Sequence, residues 1–251
     1  MIGLFDSGVG GLSVLREVRR LLPDADLTYL ADQGHGPYGE RTLAEVRDLA
    51  ERAAALLIER GASPVVVACN TASAAALATL RRDHPGTPFV GMEPAVKPAA
   101  AATRSGTVGV LATPTTFQAE VFDALVGRFA ADIEVLARPC PGWADLVEQD
   151  GAAVDPAVIA AQIDPLREAG ADTLVLACTH YSFLAGPIRE AAGPGVALID
   201  PAEAVARQVA RVAEPDGGGR TTFLTTGEPG RFAEQIAALL GIEAVPEQAA
   251  T

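Results

Sequence analysis

Two stretches of this chain, VVVACNTASA (65–74) and LVLACTHYSF (174–183), end an apolar run on a cysteine followed by small polar residues. Asn70, Thr71 and Thr179 are types that cap helices, so Cys69 and Cys178 are expected at helix starts. The partial positive charge there favours a thiolate over a thiol. Two thiols facing one cleft suit the inversion of a carbon acid. One sulfur removes a proton from one face while the other delivers a proton to the opposite face. A thiol pKa of about 8.5 brings both protonation states within reach near neutral pH. Enantiomers have equal free energy in water, so the reaction calls for no redox cofactor. A free cysteine also packs well as a small hydrophobe. That reading suits Cys140, in RPCPGW, which has no counterpart elsewhere; the matched placement of Cys69 and Cys178 argues for chemistry. A rival pairs Cys178 with His180 as nucleophile and base for acyl transfer, leaving Cys69 unexplained.

The elements that must position these thiols alternate along the chain. Val-, Ile- and Leu-rich runs at 2–5, 27–31, 64–68, 89–92, 108–112, 133–137, 173–177 and 196–199 read as strands. Segments 43–60, 72–82, 156–169 and 203–213 have helical spacing. Buried runs alternating with amphipathic helices predict an α/β fold with largely parallel sheets. The order also repeats. ERGASPVVVAC (59–69) aligns with EAGADTLVLAC (168–178) at a shift of 109 positions, IGLFDSG with VGVLATP at 106, and GMEPA with LIDPA at 107. Two related halves are expected, 1–96 and 97–205, with the active site in the cleft between them. After them come a PDGGG loop (215–219), a strand at 221–226 and a helix at 229–240. That tail is too small to bury itself, so 206–251 is assigned to the N-terminal half.

The formal charge of −13 disfavours a nucleic acid or an anionic membrane as main partner. No apolar stretch reaches the roughly 18–20 residues that span a bilayer, and MIGLFDSGVGG lacks the pattern of a secretory signal. Three cysteines without a CxxC pair predict neither a disulfide framework nor a metal site, and fit a cytoplasmic protein. Lys97 is the only lysine, and a pyridoxal phosphate racemase would need it as its Schiff base. SGVGG has neither the P-loop Lys-Ser/Thr nor a complete GxGxxG; its glycines are expected to admit close backbone approach to a ligand. No arginine lies in the motifs, so substrate carboxylates are expected to meet hydroxyls and helix-terminal N–H groups.

DSGVGGLSV (6–14), PYG (37–39), VVACNTASA (66–74), EP (93–94), LVE (146–148) and CTHY (178–181), together and in this order, resemble the glutamate racemases of the cofactor-independent aspartate/glutamate racemase superfamily. The resemblance covers nearly the whole chain. It implies Cys69 and Cys178 as the acid/base thiols, with Asp6 assisting Cys69 and with His180 and Glu148 beside Cys178. It implies that Ser7, Pro37, Tyr38, Gly39, Asn70, Thr71, Thr113, Thr116 and Thr179 hold the amino acid, without cofactor or metal. It further implies a homodimer that supplies D-glutamate for peptidoglycan; aspartate or another small acidic amino acid is the alternative substrate. Asp32, ahead of QGHGPYG, is a candidate for the substrate ammonium, or a turn former. The sequence departs from the family pattern at Ala177, Ser182 and Pro201.

Overall fold

A computed structural model describes residues 1–118, 120–150, 154–214 and 217–250. Pro215 and Asp216 of the expected loop lie outside the described residues. The chain opens with β1 (Ile2–Asp6), α1 (Leu12–Leu21), β2 (Leu27–Ala31), α2 (Leu43–Glu59), β3 (Val65–Val67), α3 (Asn70–Asp83) and β4 (Phe89–Gly91). It continues through α4 (Val96–Ala102), β5 (Thr107–Ala112), α5 (Pro114–Phe117), α6 (Glu120–Phe129) and β6 (Glu134–Pro139). Next come α7 (Trp143–Asp150), α8 (Pro156–Glu168), β7 (Thr173–Leu176), α9 (Ala185–Ala192) and β8 (Ala197–Ile199). It closes with α10 (Ala202–Val212), β9 (Thr221–Thr225), α11 (Pro229–Leu240) and β10 (Glu247–Gln248).

All strand pairs are parallel, and they form two sheets of order β10-β9-β2-β1-β3-β4 and β6-β5-β7-β8. The expected α/β architecture is therefore present. So is the internal repeat, because β2-β1-β3-β4 and β6-β5-β7-β8 have the same strand order. Gly3 pairs with Val65 across β1 and β3, and Gly109 with Leu174 across β5 and β7. Those are the positions that the sequence offsets of 106 and 109 match. Strands buried on both faces read as unbroken apolar runs, which is why β1, β3, β5 and β7 were visible as such.

The tail strand β9 pairs with β2 and extends the first sheet, with β10 beyond it. From α11, Phe232 and Ile236 are fully buried, Phe232 against Tyr29 and Phe223. Helix α10 packs on α1. One apolar cluster runs through both halves, from Leu12 and Val14 of α1 to Trp143, Leu174 and Tyr181. The two halves thus share a floor of packed side chains, and a cavity opens above it.

Candidate active site

In parallel α/β sheets the carboxyl ends of strands collect ligands, because loops and helix N-termini meet there. Four such ends meet here: β1 runs into Asp6 and Ser7, β3 into Cys69, β5 into Thr113 and β7 into Cys178. Between them lies a cavity of about 290 Å³, close to the lower end of the roughly 300–1,000 Å³ typical of small-molecule sites. Ser7, Pro37, Tyr38, Gly39, Cys69, Asn70 and Thr71 line it from the first half, and Thr113, Glu148, Cys178, Thr179 and His180 from the second. Both sulfurs therefore face one space.

Their surroundings differ. Cys69 precedes the first turn of α3, and its sulfur accepts the Ala72 N–H at 3.5 Å. Its thiol donates to Ser7 Oγ at 3.9 Å, and burial pushes its pKa up to about 12. Cys178 stands at the head of a single 3-10 turn, Thr179–Ser182, with its sulfur 3.7 Å from His180 Nδ1. The far nitrogen, His180 Nε2, lies 2.8 Å from Glu148 Oε1. Burial opposes charge on His180, yet its contacts with Cys178 and Glu148 outweigh that and hold its pKa well above the ordinary histidine value. Glu148 mirrors this. Burial disfavours its anion, but hydrogen bonds from His180, the Val9 N–H at 2.7 Å and Gln33 at 3.1 Å bring its pKa below the ordinary value. A neutral thiol on one wall thus faces a sulfur backed by an imidazolium–carboxylate pair on the other. In the repeat His180 occupies the position of Thr71, so the pseudo-symmetry breaks at the charged partners.

Asp6 is fully buried and forms no part of the cavity wall. It accepts hydrogen bonds from Gly8 N–H (2.8 Å), Ser7 Oγ (3.3 Å) and, across the halves, Thr179 Oγ1 (2.9 Å). Burial raises its pKa. Its link to Cys69 runs through Ser7.

Two sequence expectations need correction. Asp32 is buried behind the wall, where Tyr38, His35 (2.8 Å) and Thr226 (2.7 Å) occupy both its oxygens, so it anchors loops and is not open to a substrate ammonium. Thr116 likewise sits one layer back, bonded to Thr113 (2.9 Å) and Thr71 (3.3 Å). Asn70 is the reverse case. Its side-chain amide is buried at the wall with neither its oxygen nor its nitrogen partnered, so it offers both donors and an acceptor to an occupant.

The structure also adds residues that the motifs did not contain. Gln33, Cys140, Glu228 and Arg231 line the cavity. Arg231, from α11, donates to the Glu148 carbonyl at 3.1 Å and is an arginine where none was expected. Gln33 directly follows the candidate Asp32 at the end of β2, a position that strand-end reasoning could have flagged. Arg231 lies far along the chain and carried no local signal. The SGVGG glycines also serve a different purpose from the one expected. A Cβ on Gly8 would fall on the Glu148 carboxylate, and one on Gly10 on the His180 ring and the Thr179 hydroxyl. Among the described residues no cluster of His, Cys, Asp or Glu forms a metal site.

A family profile described as "Asp/Glu/Hydantoin racemase" matches residues 8–209. A glutamate racemase from Roseiflexus sp. is 51% identical over 246 residues, which cover 94% of this chain and 90% of the relative. Among solved structures, glutamate racemase RacE1 from Bacillus anthracis superposes with a TM-score of 0.90 at 30% identity, covering 100% of this chain and 97% of that one. An Escherichia coli glutamate racemase in complex with L-glutamate gives 0.84 at 32% identity, covering 96% and 94%. The chain belongs to the Asp/Glu/hydantoin racemase family, among its glutamate racemases.

Proposed function

We propose that this protein interconverts L- and D-glutamate by a cofactor-independent 1,1-proton transfer between Cys69, Cys178 and the α-carbon. The observation that carries this reading is that both sulfurs line one cavity with proton-holding partners of opposite character. With one enantiomer bound, the Cys178 thiolate, stabilised by protonated His180, takes the α-proton. The electron pair left on carbon is delocalised into the adjacent carboxylate, and the Cys69 thiol delivers its proton to the opposite face. The reverse reaction exchanges the roles of the two sulfurs. Glu148 holds His180 in its donor state, and Asp6 acts on Cys69 through Ser7. Asn70, Thr71, Thr113, Thr179, Ser7 and the Pro37–Gly39 turn hold the amino acid.

Each enantiomer, incubated with purified reduced enzyme in heavy water without cofactor, is expected to lose its optical rotation as solvent deuterium enters the α-position of the product. Unchanged rotation in both directions sinks the proposal. Labelling of Cys178 alone by an acyl substrate would instead favour the nucleophile–base reading.

In the cell the D-glutamate would enter peptidoglycan synthesis, with the enzyme working in the cytoplasm as a homodimer. These roles rest on the family likeness; no described helix is long and apolar enough to cross a membrane. The lobes of this reading are 1–96 with 206–251, and 97–205, with α10 spanning their boundary.

A further inference from the structure

The residues given a part in the proposed proton transfer all come from the two repeated halves. The tail beyond them reaches the same site from outside. Glu148 sits near the end of α7, a short helix with its side chain 20% exposed, and its neighbours decide where that carboxylate points. One oxygen is shared by the Val9 N–H and His180, at 2.7 and 2.8 Å. The other receives Gln33 Nε2 at 3.1 Å and Gln235 Nε2 at 3.3 Å. Gln235 Nε2 also donates to the Glu148 carbonyl at 2.7 Å, while Gln235 Oε1 accepts from Gln33 Nε2 at 2.7 Å. Gln33 Oε1 in turn accepts from Thr225 Oγ1 at 3.0 Å, on β9.

This arrangement fixes the direction of every group. The Glu148 carboxylate can only accept, so Gln33 must turn Nε2 toward it, which leaves Gln33 Oε1 to accept from Thr225. Gln235 must then present its oxygen to Gln33 and its nitrogen to Glu148. Gln235 is half-buried on α11, a helix pinned by the fully buried Phe232 and Ile236. It therefore grips both the backbone and the carboxylate of Glu148 from a rigid support.

We infer that Gln235 is a positioning residue for the proposed racemisation, holding Glu148 so that its carboxylate keeps His180 aligned and protonated beside Cys178. The inference rests on the function proposed above. Gln235 touches no reacting atom; its effect passes through Glu148 to His180. The charged and titratable groups facing this pair are Cys178 on the same turn as His180, Asp6 at the end of β1, Tyr29 on β2 and Arg231 on α11. None of them replaces a donor aimed at Glu148 Oε2. Without Gln235, Glu148 loses one of two donors to Oε2 and one of two to its carbonyl, and Gln33 loses the acceptor beside it. A carboxylate held less closely supports the imidazolium less well, and His180 then gives up its proton at lower pH.

The test substitutes Gln235→Met, similar in length, which removes the donor to Glu148 and adds no charge of its own near the imidazolium. Gln235→Leu, also uncharged, is the second variant should the first fail to fold. Glu234→Gln, on the exposed face of the same helix, is the control. Racemisation kinetics against pH are compared with those of the parent. The expected outcome is a fall in kcat of about ten- to a hundredfold, the scale seen when a reacting group is displaced. KM should stay within roughly twofold, and the alkaline limb of the kcat profile should move to lower pH, with the control unchanged. Overturning results are a kcat and alkaline limb equal to the parent's, or a loss of activity that tracks a lowered Tm with the limb unmoved. A parent that racemises nothing refutes the underlying function; a working parent with a parent-like variant refutes this inference alone.

Discussion

The two sulfurs were legible in the sequence because each ends a strand, precedes capping residues and recurs in a second copy. Their inequality was less visible, since it depends on Glu148 reaching His180 from 32 positions away. The sequence leaves Asp32 open between substrate contact and turn former for a related reason. Locally it is an acid in a turn-rich segment, and nothing nearby reveals that Thr226, 194 residues on, occupies one of its oxygens. Replacing Cys69 or Cys178 with Ala should each lower kcat by roughly 10²–10⁴-fold, the range for loss of a positioned acid or base. Because the enantiomers are equal in free energy, kcat/KM must fall equally in both directions, which polarimetry from either side checks. Glu148→Gln removes the anion that keeps His180 protonated. His180 then titrates at lower pH, and the alkaline limb of the racemisation profile should move down, as read from kcat across the pH range.

At the scale of elements, alternating apolar runs place eight of the ten strands among the described residues to within two residues at each end, and the tail strand β9 to within one. The exception, β10, is a two-residue edge strand that offers no periodicity. The segment after β1 was the most informative misjudgement. Its glycines were assigned to ligand approach, whereas Gly8 and Gly10 make room for Glu148, His180 and Thr179 from the other half. Sequence alone specifies that a side chain is missing; it does not say which neighbour occupies the space. Gly8→Ala is expected to cost about 1–3 kcal/mol through overpacking. It should also suppress racemisation much more than it perturbs the fold, because the displaced atoms are those of Glu148. Circular dichroism melts alongside initial rates separate the two effects.

At the scale of the molecule, the halves were legible as a repeat, and the tail as an addition that could not bury itself. That the tail also braces Glu148 was not legible, because the contact exists only after β9 docks on β2. The Glu148–His180 pair gives stability a defined dependence on pH. Glu148, with its pKa lowered, contributes above the unfolded value of about 4.3, and this is lost as pH falls through its folded value. His180, with its pKa raised, contributes fully below about 6.5, and this is lost as pH rises through its folded value. The Tm gap between the parent and His180→Gln should therefore be widest between about pH 4.3 and 6.5 and narrow on either side, as thermal melts across that range will read. The burial of both sulfurs, at 5% and 6% exposure, has a last consequence for turnover. Under the two-thiol transfer proposed above, a completed inversion would release the enzyme with its protons interchanged, leaving two tautomeric empty forms, each ready for only one enantiomer. Because the thiols meet solvent only through the cavity they line, relaxation between these forms would be a separate kinetic event. At saturating concentrations an isotopically labelled tracer at equilibrium should be driven back against a bulk flux of its mirror image.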